Sequence, residues 1–66
     1  MELLRKKREE CGYTQQRLAD AVGVTQTAIS LIESGDRLPS VPLAKKIGNV
    51  LGFEWSELYN DNNKGE

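Results

Sequence analysis

The stretch TQQRLADAVGVTQTAISLIESG, residues 14–35, decides the fold of this chain of 66 residues. Thr14 and Thr25 are of a type favoured at helix N-caps, and Gly23 lies between them. Glycine readily adopts the positive φ that a sharp exit from a helix requires. The pattern therefore predicts two short helices joined by a tight turn.

Caps and apolar periodicity place three more helices around this pair, and no segment alternates as a strand would. Gly12 follows the first helix, Ser40 is expected to cap the fourth, and Gly52 closes it. The predicted fold class is all-α, with one compact five-helix domain over residues 1–60 and a disordered polar tail at 61–66. The expected helices cover residues 2–11, 15–22, 26–34, 41–51 and 54–59.

Composition excludes several classes of site. The chain has one cysteine and no histidine, so neither an internal disulfide nor a thiolate–imidazole metal cluster is possible. No glycine-rich phosphate loop is present, and we expect no catalytic residue, no metal, no cofactor and no small-molecule substrate. The N-terminus is charged at once, and no apolar run approaches the ~20 residues of a membrane span, which favours a cytoplasmic protein.

The charge is nearly balanced, with nine Lys and Arg against ten Asp and Glu. Its distribution is uneven, because residues 1–46 hold eight basic and six acidic side chains whereas residues 47–66 hold one and four. A modest positive bias of this kind is weak evidence for a nucleic-acid partner and would not identify one alone.

One face of the third predicted helix is unusual because it carries no charge. At 3.6 residues per turn, Ile29 and Ile32 point inward. Hydroxyl and amide groups can bond to base edges in the major groove of DNA, and a leucine can contact a thymine methyl. An ordinary polar surface is the alternative interpretation. The outward side chains are those of Gln26, Thr27, Ser30, Leu31 and Ser34.

The stretch resembles the helix-turn-helix of the lambda-repressor-like (Xre/Cro) family of DNA-binding proteins. The match is positional, with Gln15 opening the second helix, Ala19 four residues later and Gly23 at the turn. The surrounding TQxxLA and AISxIExG patterns and Pro39 also fit, and the resemblance covers roughly residues 3–59. Small residues at positions 19 and 23 let two helices cross closely, at ~90–120°.

The resemblance implies individual roles for a protein that binds double-stranded DNA. Gln15 would anchor a phosphate at the helix N-terminus, and Arg37 would contact the DNA backbone from the following loop. Thr14 is also expected to contact phosphate, although its main role would be that of a cap. Asp36 departs from the pattern, because an acidic side chain in this loop would repel phosphate. The implied base-reading residues are Thr25, Gln26, Thr27, Ser30 and Leu31.

An arginine late in the first helix pairs, in family members with this pattern, with the glutamate that ends the third. The resemblance therefore implies a structural ion pair between Arg8 and Glu33. Direct contact of Arg8 with phosphate is the alternative. Cys11, which shares a helix face with Arg8, is expected to behave as a small buried hydrophobe.

A domain of this size reads about half of a DNA site. The resemblance therefore implies a homodimer on a palindromic operator, with half-sites one helical turn apart. Leu58 and Tyr59 in the fifth helix are the candidate dimer contacts. Association induced by the DNA itself stays open.

The leading interpretation is a sequence-specific, double-stranded DNA-binding transcriptional regulator, of the type of a small bacterial or prophage repressor acting at the nucleoid. The alternative is a protein-interaction module of the same fold, such as an antitoxin or a regulator antagonised by another protein. The neutral helix face favours the first, whereas the acidic balance and Leu31 leave room for the second. An enzyme is not expected, because too little chain is left to build a pocket around its carboxylates.

Overall fold

The structure, a computed structural model, describes residues 2–62, which form five helices and no strand. The predicted all-α class is confirmed. Three bounds differ from the prediction: the first helix ends one residue earlier, the fifth begins at Glu57 because residues 54–56 form a turn, and the fifth ends at Asn62 instead of residue 59. Residues 61 and 62, expected in the disordered tail, are therefore helical. Residues 63–66 of the expected tail lie outside the described residues. The helices are α1 (Glu2–Glu10), α2 (Gln15–Val22), α3 (Gln26–Ser34), α4 (Val41–Leu51) and α5 (Glu57–Asn62).

The caps of α2 and α3 form as the sequence predicts. Thr14 Oγ1 accepts a hydrogen bond from the Arg17 N–H at 3.0 Å, and Thr25 Oγ1 accepts one from the Ala28 N–H at 3.1 Å. Gly23 ends α2 in the left-handed region with φ 78°. The caps and the turn between the two helices therefore form through hydrogen bonds and dihedral angles of neighbouring residues, and Val24 in the turn also packs against the core.

The hydrophobic core lies where the helices meet. α2 packs against α3 and α4, and α1 packs against α3 and α5. In the described part of the chain, every buried side-chain nitrogen or oxygen has a hydrogen-bond partner. None of the described helices is long and apolar enough to cross a membrane. The buried hydrophobic residues are Leu4, Leu18, Ala19, Val22, Ile29, Ile32, Ala44, Ile47, Leu51 and Leu58.

Two expectations are corrected by the packing of the chain ends. Leu58, expected as a dimer contact, is 0% exposed because α5 folds back against α1 and buries this side chain in the core. Cys11, expected to be buried, is exposed beyond the end of α1, although its Sγ lies 3.4 Å from the Leu51 carbonyl oxygen. Tyr59 is half-buried, and its hydroxyl donates to the Pro39 carbonyl oxygen at 2.8 Å.

Gly48 lies in the middle of α4, where glycine costs about 1 kcal/mol relative to alanine. The structure supplies the reason for it. A Cβ at this position would lie 2.7 Å from the carbonyl oxygen of Phe53 and 3.1 Å from Cβ of Trp55. The segment after α4 therefore packs directly on the helix backbone.

Gly48→Ala is expected to lower the free energy of unfolding by a net ~1–2 kcal/mol, measured by urea unfolding. Alanine gains about 1 kcal/mol in helix propensity. Overpacking costs about 1–3 kcal/mol, and because the Cβ would lie 2.7 Å from a backbone oxygen, the cost here should be about 2–3 kcal/mol, in the upper part of that range. Asn49→Ala, at the exposed neighbouring position, is the control and should be neutral or slightly stabilising. Equal stability of the two variants would contradict the close approach of Phe53.

Candidate nucleic-acid interface

The beginning of α3 presents an uncharged polar surface to solvent. Thr25, Gln26, Thr27 and Ser30 are exposed and Leu31 is half-buried. We call these five residues the α3 face. On the other side of the helix, the isoleucines at positions 29 and 32 are fully buried in the core. The side chains expected to read bases are thus accessible, and the helix that carries them is fixed from behind.

The N-termini of α2 and α3 lie beside each other. Gln15 and Gln26 are the first residues of the two helices, and the Gln26 amide Nε2 lies 3.5 Å from Gln15 Oε1. Neither helix has an acidic residue in its first turn, so no carboxylate of its own offsets the partial positive charge there. Two such termini side by side favour the approach of an anion such as a phosphate.

An ion pair connects α1 to the end of α3. Arg8 Nε donates to Glu33 Oε2 at 2.6 Å, and a second guanidinium nitrogen donates to Glu33 Oε1 at 3.3 Å. The third nitrogen donates to the Tyr13 carbonyl oxygen at 2.7 Å. The side chains of Arg8 and Glu33 are only 10% and 6% exposed. The geometry is that of a buried bidentate pair, which fixes the orientation of α3 relative to α1.

Gln15 has a second contact that sequence reasoning missed. Its amide Nε2 donates to Glu33 Oε1 at 2.9 Å, so Gln15 lies between the ion pair and Gln26. A continuous series of hydrogen bonds therefore runs from Arg8 through Glu33 and Gln15 to the α3 face. The only signal in the sequence is that both glutamines directly follow an N-cap threonine.

The loop after α3 carries charges of both signs. Arg37 is exposed, and its backbone N–H donates to the Leu31 carbonyl oxygen at 3.2 Å. Asp36 is also exposed, and one of its carboxylate oxygens lies 3.0 Å from the Ser34 hydroxyl. An arginine available to DNA is therefore next to a carboxylate that opposes it. Among the side chains of residues 2–59, which the structure describes, no cluster of three acidic, cysteine or histidine groups could hold a metal ion.

Comparison with known proteins decides the family. A family model described as helix-turn-helix matches residues 4–58. The chain belongs to this helix-turn-helix family. The matched range includes α1 to α4 almost completely and the start of α5, so the family fold accounts for nearly all of the described helices.

Relatives of this helix-turn-helix protein occur in bacteria and archaea. It is 43% identical over 58 residues to the uncharacterized HTH-type transcriptional regulator YqaF of Bacillus subtilis, covering 88% of this chain and 76% of the relative. An uncharacterized HTH-type transcriptional regulator of Methanothermobacter thermautotrophicus is 46% identical over 55 residues, covering 83% and 80%. The SPbeta prophage-derived regulator YonR of Bacillus subtilis is 39% identical over 73 aligned positions, covering 91% and 68%.

The family, the fold and these relatives together identify the chain as a DNA-binding transcriptional regulator. The family match includes the α3 face and both adjacent helix N-termini. The function of this helix-turn-helix protein is therefore to be understood from the surface that α2 and α3 present together.

Proposed function

We propose that the chain is a sequence-specific repressor of bacterial or prophage type that binds a palindromic operator as a homodimer. It acts in the cytoplasm, at the nucleoid, by binding DNA and not by catalysing a reaction. The observation that carries this proposal is the accessible, uncharged α3 face beside two helix N-termini that lack acidic residues in their first turns.

The α3 face supplies the chemistry of direct readout. An amide such as that of Gln26 can bond to adenine N6 and N7 together, and hydroxyls such as those of Thr27 and Ser30 can donate or accept. Leu31 supplies an apolar contact for a thymine methyl. Because no charge lies on this face, recognition depends on the match between these groups and the base edges.

Phosphate contacts would position the α3 face in the groove. Gln15 and the N-terminus of α2, next to its cap Thr14, provide one anchor, and Arg37 provides another from the loop. Asp36 weakens the loop contact by repulsion. With only four to six phosphates neutralised, the slope of log K against log salt should be about −4 to −5. Base contacts and dimerisation therefore contribute much of the affinity.

Because Leu58 is buried, we propose that the dimer contact lies around Tyr59 instead. Leu38 and Val41 are 53% and 47% exposed, and they lie one residue before and two residues after Pro39, whose carbonyl oxygen accepts the Tyr59 hydrogen bond. We propose Leu38, Val41 and Tyr59 as an apolar surface that contacts a second copy. Three partly exposed side chains would bury little area, which fits a weak dimer that DNA stabilises. A protein partner on this surface is the alternative, as expected for a module antagonised by another protein.

The proposal is tested by selection of bound sites from random duplex DNA. We expect enrichment of an inverted repeat whose half-site centres lie about 34 Å apart, one helical turn. Absence of any enriched motif would contradict the proposal. A single half-site without a repeat would contradict only the homodimer and would leave sequence-specific DNA binding intact.

Gln26→Ala is expected to lose about 1–3 kcal/mol of discrimination at one base pair of each half-site, because the bidentate contact is removed. The same selection, repeated with the variant, measures this as a relaxed preference at that position. Gln16→Ala, on the exposed first turn of α2, is the control and should keep the wild-type motif. An unchanged motif in Gln26→Ala would remove Gln26 from base readout and leave DNA binding itself intact.

A further inference from the structure

A polar recess of about 260 Å³ opens between α1, α2 and α3. Its walls include Arg5 and Arg8 from α1, Gln15 from α2, and Ser30 and Ser34 from α3. Ser30 also belongs to the α3 face, so the recess begins where the base-reading surface ends. A group bound there would lie next to the DNA that the α3 face contacts.

The two arginines of the recess differ in what holds them. Arg8 is fixed by its bidentate pair with the buried Glu33 side chain, which also lines the recess. Arg5 is paired with Glu2 at 3.0 Å, and the two side chains are 54% and 72% exposed. An exposed pair of this kind contributes little stability. Arg5 can therefore release Glu2 and bind another anion at little cost in stability. Separating Arg8 from Glu33 would instead leave a buried charge without its partner.

We propose that the recess takes a backbone phosphate of the bound duplex, with Arg5 as its charged ligand. This inference rests on the proposed DNA-binding function. The planar guanidinium can bind two phosphate oxygens at once, and the Ser30 hydroxyl adds a neutral donor on the same walls. The Ser34 hydroxyl is already engaged with the Leu31 carbonyl oxygen and an Asp36 carboxylate oxygen. Glu2 is then a competitor that holds Arg5 in the absence of DNA and must release it when the phosphate enters.

The site extends the interface beyond the two adjacent helix N-termini. Phosphate contacts fix register and orientation without reading sequence. Arg5 would therefore strengthen binding to every duplex to a similar extent. A base-reading residue such as Gln26 would instead act only at its own base pair, and this difference separates the two roles experimentally.

The first test compares Arg5→Gln with Lys6→Gln, which removes one positive charge from the exposed neighbouring position of α1. Binding of the selected duplex and of an unrelated duplex is followed by fluorescence anisotropy over a series of salt concentrations. Arg5→Gln should weaken both complexes by a similar factor of about 3–10 and make the log–log salt slope shallower by about one. Lys6→Gln should leave the slope unchanged, and both variants should keep the wild-type melting temperature.

The second test examines the competition with Glu2. Glu2→Gln should strengthen binding about twofold or more, because Arg5 no longer has to leave a carboxylate. The gain should disappear in the Glu2→Gln, Arg5→Gln double variant. A gain that persists without Arg5 would show a general charge effect and would overturn the exchange of partners.

The outcomes separate this inference from the function on which it rests. If the wild-type chain bound no duplex, the DNA-binding proposal itself would fail. If the wild type bound and Arg5→Gln matched Lys6→Gln in slope and affinity, only the recess assignment would be overturned.

Discussion

Glu33→Ala is expected to lower the free energy of unfolding by about 3–5 kcal/mol, because it breaks a buried ion pair by removing one partner. The Glu33 carboxylate accepts hydrogen bonds from two nitrogens of Arg8 and from the Gln15 amide. Without it, the almost buried guanidinium keeps the Tyr13 carbonyl oxygen and, at 3.9 Å, the exposed carboxylate of Glu9. Neither replaces the lost pair, so a charge remains poorly compensated in the interior.

Thermal unfolding followed by circular dichroism measures the effect. A domain of this size loses about 4–8 °C of melting temperature for each kcal/mol, so a fall of at least about 12 °C is expected. Glu10→Ala removes the same charge from the exposed end of α1 and should change stability by less than about 0.5 kcal/mol. Glu33→Gln keeps one acceptor oxygen and should fall between the two. If Glu33→Ala had the melting temperature of the wild type, Glu33 would not hold α1 to α3.

Thr27→Glu is expected to reduce operator affinity at least about 100-fold while leaving the fold intact. The substitution places a carboxylate on the exposed α3 face, where the polyanionic duplex must approach, and like charges brought together at an interface cost several kcal/mol. Because Thr27 points to solvent and caps no helix, the melting temperature should stay close to that of the wild type.

Asn49→Glu is the matched control for this loss. It adds the same single negative charge at an exposed position of α4, a helix that contributes no residue to the α3 face. Anisotropy titrations at one fixed salt concentration should show nearly wild-type binding for Asn49→Glu. Equal losses in both variants would indicate a general effect of net charge, and the α3 face would lose its special role.

The parts of the fold that depend on neighbours in sequence could be predicted from the sequence. Thr14, Thr25 and Gly23 act through hydrogen bonds and dihedral angles within a few residues, so their roles can be inferred without tertiary information. The pair between Arg8 and Glu33 spans 25 positions and was implied by the family resemblance, since spacing alone would not connect them.

The errors concern burial that only tertiary packing decides. Leu58 lies in a short helix whose other residues are mostly polar, which suggests an exposed position. However, α5 folds against α1 and buries it. Cys11 shares a face with Leu4 on a helical wheel, but α1 ends before it and leaves it exposed. The bridging contact of Gln15 was missed for the same reason, because Glu33 and Gln26 reach it from another helix.

NMR titration of the ¹⁵N-labelled chain with the selected duplex shows which helix reads the DNA. We expect the largest amide shifts at the start of α3, with smaller shifts at the start of α2; the strongly shifted residues should be Thr25, Gln26, Thr27, Ser30 and Leu31. The surface of Leu38, Val41 and Tyr59 should shift only as dimerisation requires. Shifts confined to that apolar surface, with an unperturbed α3 face, would contradict the assignment of α3 as the helix that reads DNA.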